Sequence, residues 1–181
     1  MESIRGTTIL CVRRNNSVAI GGDGQATIGN TIAKENVNKI RSFYNKSILA
    51  GFAGSTSDAF ALFEKFESKL KIFNKNLEKA AIELSKEWRS NGVSKRLDAM
   101  IIVSDVRTSL LISGAGDVMS SDKNDILSIG SGSSFAKSAA HALIENTNLD
   151  ACDIVRKSLL IAADICIYTN HNLVIESITD K

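Results

Sequence analysis

The sequence predicts an α+β fold in which two antiparallel sheets pack face to face and a pair of helices covers each outer side. Three observations lead there. Strand-like segments fall in hairpin groups, helix-like segments fall in consecutive pairs, and the order of strands, two helices, strands, two helices and a strand lacks the strict alternation of a doubly wound sheet. Stacking sheet on sheet with helices outside gives every apolar face a partner.

Thr7 to Arg14 reads as the first strand, Asn15-Asn16 as a tight turn, and Ser17 to Gly22 as the returning strand, rich in Val, Ala and Ile. Arg13-Arg14 then reads as a solvated hairpin tip. The glycine-bearing loop Gly22-Asp23-Gly24-Gln25 opens a polar stretch with no predicted element. Lys39-Ile40-Arg41 and Phe43-Tyr44 follow, then a turn at Asn45-Lys46, then the apolar strand Ile48 to Gly54. Ser55 to Asp58 supplies cap residues for a helix whose apolar positions, Ala59, Leu62, Phe63, Phe66, Leu70 and Phe73, recur at three and four. Leu77, Ala80, Ala81, Leu84 and Trp88 mark a second helix. Strands are expected at Ala99 to Ser104, Ser109 to Ser113 and Ile126 to Ile129. The second helix pair carries Phe135, Ala136, Ala139, Ala140 and Leu143 in one member and runs from Asp150 to about Ile167 in the other. Asp150 and Asp153 resemble an N-cap with an acidic first turn. Leu173 to Ile178 closes the chain as a strand.

At 181 residues the chain fits one domain with a substantial core. Hydrophobic residues at 44% and charged residues at 23% exclude disorder, and the scattered basic residues behind a net charge of +2 give no nucleic-acid footprint. Cys11, Cys152 and Cys166 form no C-x-x-C pair and lie in mainly apolar surroundings, which suits reduced thiols and a cytoplasmic location. No apolar run approaches the ~18 residues of a membrane span. The six residues before Thr7 are too few for a signal peptide and read as a short leader or a frayed end, with one domain over residues 7–181.

The candidate chemistry begins at Gly6-Thr7-Thr8. Cutting the Gly6–Thr7 bond leaves a threonine with its hydroxyl and a free α-amine on one residue, and that amine, with a reference pKa of roughly 7.7–8.0, can act as its base. Asp23, between two glycines, and Lys39, 16 residues on, would form a supporting charge pair if they meet near Thr7. By themselves they also read as a turn aspartate and a snorkelling lysine. Gly51 and Gly54 bracket Phe52-Ala53 before a helix, fitting either an oxyanion N–H or a strand-to-helix turn. Gly130-Ser131-Gly132-Ser133-Ser134 lacks the first glycine of G-x-S-x-G and the last of G-x-G-x-x-G, which leaves Ser131 as a hydrogen-bonding or capping residue. Neither His141 nor His171 has a carboxylate at triad or metal-ligand spacing. The helix end from Ala163 to Thr169 could offer free carbonyls to a hard cation or simply fray.

Together these stretches resemble the HslV peptidase family, bacterial relatives of proteasome β-subunits. The resemblance is carried by Gly6-Thr7-Thr8-Ile9, Gly22-Asp23-Gly24-Gln25-Ala26-Thr27, Gly29-Asn30-Thr31, Ala50-Gly51-Phe52-Ala53-Gly54, Lys86-Glu87-Trp88-Arg89-Ser90, Ile129-Gly130-Ser131-Gly132 and Asp164-Ile165-Cys166-Ile167-Tyr168-Thr169-Asn170-His171. It implies a four-layer αββα sandwich of the N-terminal-nucleophile hydrolase type. Thr7 would be nucleophile and base, Lys39 and Asp23 the charge pair, Gly51 the oxyanion donor and Ser131 the serine near the nucleophile. Carbonyls of Ala163, Cys166 and Thr169 would bind a cation, usually sodium. The implied activity is that of a threonine endopeptidase subunit degrading unfolded proteins inside two stacked hexameric rings. A separate AAA+ unfoldase of the HslU type would feed and allosterically activate it, and this chain has no P-loop of its own. Three departures stand out: six residues precede the threonine, Ala163 replaces a common glycine, and the segments Ser90 to Arg96 and Ser133-Ser134 are atypical. A ring-forming structural or regulatory subunit whose leader is never removed is the alternative; an amide hydrolase of the same fold acting on small molecules is a third reading.

Overall fold

The computed structural model describes residues 4–90, 97–121 and 125–180. Most of the atypical segment Ser90 to Arg96 and the first half of the leader lie outside the described residues. In chain order the elements are β1 (Ile4–Arg5), β2 (Thr8–Arg14), β3 (Ser17–Asp23), β4 (Ala26–Ile28), β5 (Thr31–Lys34), β6 (Ile40–Phe43), β7 (Ile48–Gly54), α1 (Thr56–Ile72) and α2 (Leu77–Ser90). They continue with β8 (Ala99–Ser104), β9 (Ser109–Ser113), β10 (Val118–Ser120), β11 (Ile126–Gly130), α3 (Ser133–Asn146), α4 (Ala151–Ile165) and β12 (Leu173–Thr179).

Two antiparallel sheets form the middle of the molecule, one ordered β10-β9-β8-β7-β6 and the other β11-β2-β3-β12. Three cores define four layers. Ile48, Ala50 and Phe52 of β7 and Ile101 and Val103 of β8 pack under Leu62, Phe63 and Phe66 of α1 and Ala81 and Leu84 of α2. The intervening residues Leu49, Ala53 and Ile102 turn the other way and meet Ile9, Cys11, Val18 and Ile20 of the facing sheet. Leu10, Val12 and Ala19 of that sheet then meet Ala136 and Ala140 of α3 and Ile154, Val155 and Leu159 of α4. Because side chains alternate across a strand, each strand is apolar on both faces, which requires covers on both sides. This is the αββα sandwich that the sequence predicts.

The caps are those read from the sequence. Ser55 accepts from the Asp58 N–H at 3.5 Å and Asp150 from the Asp153 N–H at 2.8 Å. Some local expectations change. The polar stretch forms β4 and β5, and with β1 it makes a third, three-stranded sheet. This ribbon carries exposed Ile28 and Ile32, so no buried periodicity announces it. Helix α4 ends at Ile165, Phe73 is the C-cap of α1, and Phe135 is exposed beside the buried Ala136. Arg13 is no solvated tip: its guanidinium donates to the carbonyls of Val106 (2.5 Å) and Asp105 (2.8 Å) and to Ser109 Oγ (2.9 Å), stapling β2 to the β8–β9 turn. All three cysteines are free thiols, and burial pushes the Cys11 thiol up from its usual pKa.

Candidate active site

Thr7 precedes β2 and is buried, with 5% of its surface exposed. Its backbone is held by the turn after β11, where the Ser131 N–H donates to the Thr7 carbonyl at 2.8 Å. The next residue, Thr8, donates its N–H to Asp23 Oδ1 at 2.7 Å, across the hairpin formed by β2 and β3. Asp23 ends β3, where Gln25 N–H (2.9 Å) and Asn170 N–H (3.3 Å) bind its other carboxylate oxygen.

Lys39 reaches this cluster from just before β6. Its ammonium donates to Asp23 Oδ1 at 3.2 Å, to the Gln25 carbonyl at 2.5 Å and to the Gly6 carbonyl at 2.9 Å. Three donors thus find three acceptors, which is what a buried ammonium requires. Burial lowers the Lys39 pKa from its usual value, while the charge and hydrogen bond of Asp23 oppose that shift. The Thr7 hydroxyl donates to the same Gly6 carbonyl at 2.6 Å. In the uncut chain the carbonyl of the Gly6–Thr7 bond is therefore polarised by a cation and touched by the neighbouring hydroxyl.

A cleft of about 730 Å³ opens beside Thr7, with Ala53, Gly54, Met100, Leu111 and Ser131 among its lining residues. Ser131 is exposed there, and its contact with Thr7 is through the main chain. Gly51 lies where β7 meets the facing sheet, opposite Ile40. A Cβ on it would sit 2.8 Å from Ile9 Cγ2 and 3.1 Å from Ile40 Cδ1, so the absent side chain lets the sheets close at this point. Phe52 donates its N–H to the Lys39 carbonyl at 3.2 Å, on the β6 side of β7. Gly54 lines the cleft, while Gly51, the expected oxyanion donor, packs against Ile9 and Ile40 three residues earlier on the same strand.

Ala163, Cys166 and Thr169 follow one another around the C-terminal end of α4. The Thr169 N–H donates to the Cys166 carbonyl at 3.0 Å, which leaves that oxygen a second lone pair. Neutral backbone oxygens at the negative end of a helix are hard donors, and their chemistry fits a hard cation. Among the described residues no group of three His, Cys, Asp or Glu side chains is placed to hold a metal ion.

Sequence reasoning gave no role to the side chains of Thr8, Gln25 and Asn170. Gln25 donates to the Ile167 carbonyl (2.9 Å) and to Thr27 Oγ1 (3.1 Å), and Asn170 accepts from the Gly24 N–H (3.1 Å). The signal available was their polarity next to segments that must be buried.

The αββα sandwich of two antiparallel sheets between helix pairs is the fold of N-terminal-nucleophile hydrolases. The family described as proteasome subunit matches residues 4–178. The chain belongs to that family, whose fold is that of a peptidase. It is similar to the eukaryotic HslV from Trypanosoma brucei, at 41% identity over 96% of this chain and 99% of that one, with a TM-score of 0.89. Its fold is also that of Thiobacillus denitrificans BPH, at 17% identity over 95% of this chain and 97% of that one, with a TM-score of 0.73. The epoxomicin complex of BPH gives the same TM-score of 0.73 at 18% identity, over 95% of this chain and 98% of that one. Among the described residues no helix is long and apolar enough to cross a membrane.

Proposed function

We propose that this chain is a threonine-type endopeptidase subunit of a two-component ATP-dependent protease. The observation that carries the reading is the Gly6 carbonyl, which receives the Lys39 ammonium at 2.9 Å and the Thr7 hydroxyl at 2.6 Å. The first bond cut is the chain's own. Thr7 Oγ attacks the Gly6 carbonyl carbon, the peptide becomes an ester, and water releases residues 1–6 and frees the Thr7 amine.

The mature site then acts on other chains. The Thr7 amine takes the hydroxyl proton as Oγ attacks a scissile carbonyl and delivers it to the leaving amine. Lys39, kept charged by Asp23, favours the neutral amine and the developing alkoxide. The Gly51 N–H would stabilise the oxyanion, Ser131 would assist by hydrogen bonding, and water hydrolyses the acyl-enzyme. The similarity to HslV supports an assembly of two stacked hexameric rings, fed with unfolded protein by an HslU-type AAA+ unfoldase in the cytoplasm. Ala163, Cys166 and Thr169 would hold a sodium-like cation through their carbonyls, and its charge would tie down the turn after α4.

Intact mass and labelling by a threonine-directed electrophile test this reading. A chain beginning at Thr7, labelled in the wild type and unlabelled in Thr7→Ala, is the expected result. A chain that keeps residues 1–6 and takes no label would instead identify a non-catalytic ring subunit.

A further inference from the structure

The hydroxyl of Thr8 is fully buried and bound on two sides. It accepts the Gly132 N–H at 2.9 Å and lies 2.7 Å from Thr169 Oγ1. The fit is built around it, since a Cβ on Gly132 would stand 2.4 Å from Thr8 Oγ1 and 2.7 Å from Thr169 Oγ1. Consecutive N–H groups of one turn therefore clamp consecutive residues of β2 and its approach: Ser131 holds the Thr7 carbonyl and Gly132 the Thr8 hydroxyl. The Thr8 N–H meanwhile binds Asp23 Oδ1, the oxygen that also contacts Lys39.

Three separate pieces of chain thus meet on one residue: the end of β3 with its charge pair, the turn before α3, and the loop after α4. A strand threonine needed only for its β-branch would leave its hydroxyl pointing at solvent or at one neighbour. We infer that Thr8 is a positioning residue, whose hydroxyl fixes the orientation of the Thr7 main chain, and hence of the amine that serves as base, against the Asp23–Lys39 pair. The inference rests on the threonine-peptidase reading of Thr7.

Valine at position 8 keeps the shape and removes the hydroxyl; serine keeps the hydroxyl and loses a methyl. The full chain carrying Thr8→Val, Thr8→Ser or Thr7→Ala is assayed with the AAA+ partner and ATP on a fluorogenic peptide, and rates are divided by the sites titrated with the electrophile. Misplacing a reacting group by about an ångström costs up to roughly 10²-fold. Thr8→Val is therefore expected to lose about 10- to 100-fold in kcat per titrated site, with KM unchanged and the serine variant restored towards wild type. A role in folding alone would lower the thermal midpoint and the number of titrated sites but leave the rate per site untouched, and that result overturns the inference. So does a serine variant no better than valine. If Thr8→Val yields no folded chain, Thr169→Val replaces it and removes one of the hydroxyl's two partners, under the same criteria. An active Thr7→Ala chain would overturn the nucleophile assignment itself, and an inactive one leaves the Thr8 comparison to decide.

Discussion

Lys39→Met is the most direct test of the charge pair, because methionine keeps the unbranched stem and removes the ammonium. Three acceptors lose a donor: the Gly6 carbonyl, the Gln25 carbonyl and Asp23 Oδ1, of which the first keeps the Thr7 hydroxyl and the last the Thr8 N–H. Breaking a buried ion pair by deleting one partner costs about 3–5 kcal/mol. Asp23 keeps the N–H groups of Thr8, Gln25 and Asn170, so the loss falls near ~3 kcal/mol, measurable by urea titration. Catalysis loses a charge aimed at the reacting oxygens, worth on the order of 10²–10³ in kcat. The pH dependence adds a signature. Burial holds the folded Lys39 below the usual 10.5, so between that lowered value and 10.5 the unfolded chain binds more protons than the native one. Stability contributed by this group is present above 10.5, is lost as pH falls through the folded value, and so rises across the same alkaline window in which activity falls. In Lys39→Met both trends vanish. A methionine variant that removes residues 1–6, cleaves peptide at the wild-type rate and keeps the alkaline limb would refute the role given to Lys39.

Three further substitutions bear on other parts of the structure. Gly51→Ala places a methyl against Ile9 and Ile40 and should cost about 1–3 kcal/mol by overpacking and lower the rate per titrated site; an unchanged rate per site would take the oxyanion role from Gly51. Phe66→Ala empties a fully buried position beneath α1 and should cost about 3–5 kcal/mol, lowering the thermal midpoint by roughly 10 °C; a shift of a degree or less would mean that the helix pair does not close this core. Asp150→Ala removes the cap on the Asp153 N–H and should cost about 1 kcal/mol in urea titration, an effect that Asp150→Asn should largely avoid.

The layers were legible because their signal is local and repeated. Leu62, Phe63 and Phe66 announce a helix face by spacing, and the layering follows from helix pairs that interrupt hairpin groups. The ribbon of β1, β4 and β5 was not legible, since Thr27 is buried while Ile28 and Ile32 are exposed, the reverse of what hydrophobicity suggests. Asp23 and Lys39 were visible as chemistry, but their meeting depends on a hairpin and a crossover that no spacing encodes. The hydroxyl of Thr8 was hidden for a different reason: its partners, Gly132 and Thr169, lie 124 and 161 residues away along the chain.

The short strand β1 runs antiparallel to β4, with Ile4 opposite Ile28 and Arg5 opposite Thr27. Its departure would turn a three-stranded sheet into a two-stranded ribbon, an arrangement of marginal stability with an open edge. An extended polypeptide laid along that edge would complete the sheet again, with its carbonyl where that of Gly6 had been. If residues 1–6 are released as proposed, maturation and turnover would be one exchange repeated: the leader would be the first occupant of the edge, and each later chain would compete for the same row of backbone groups.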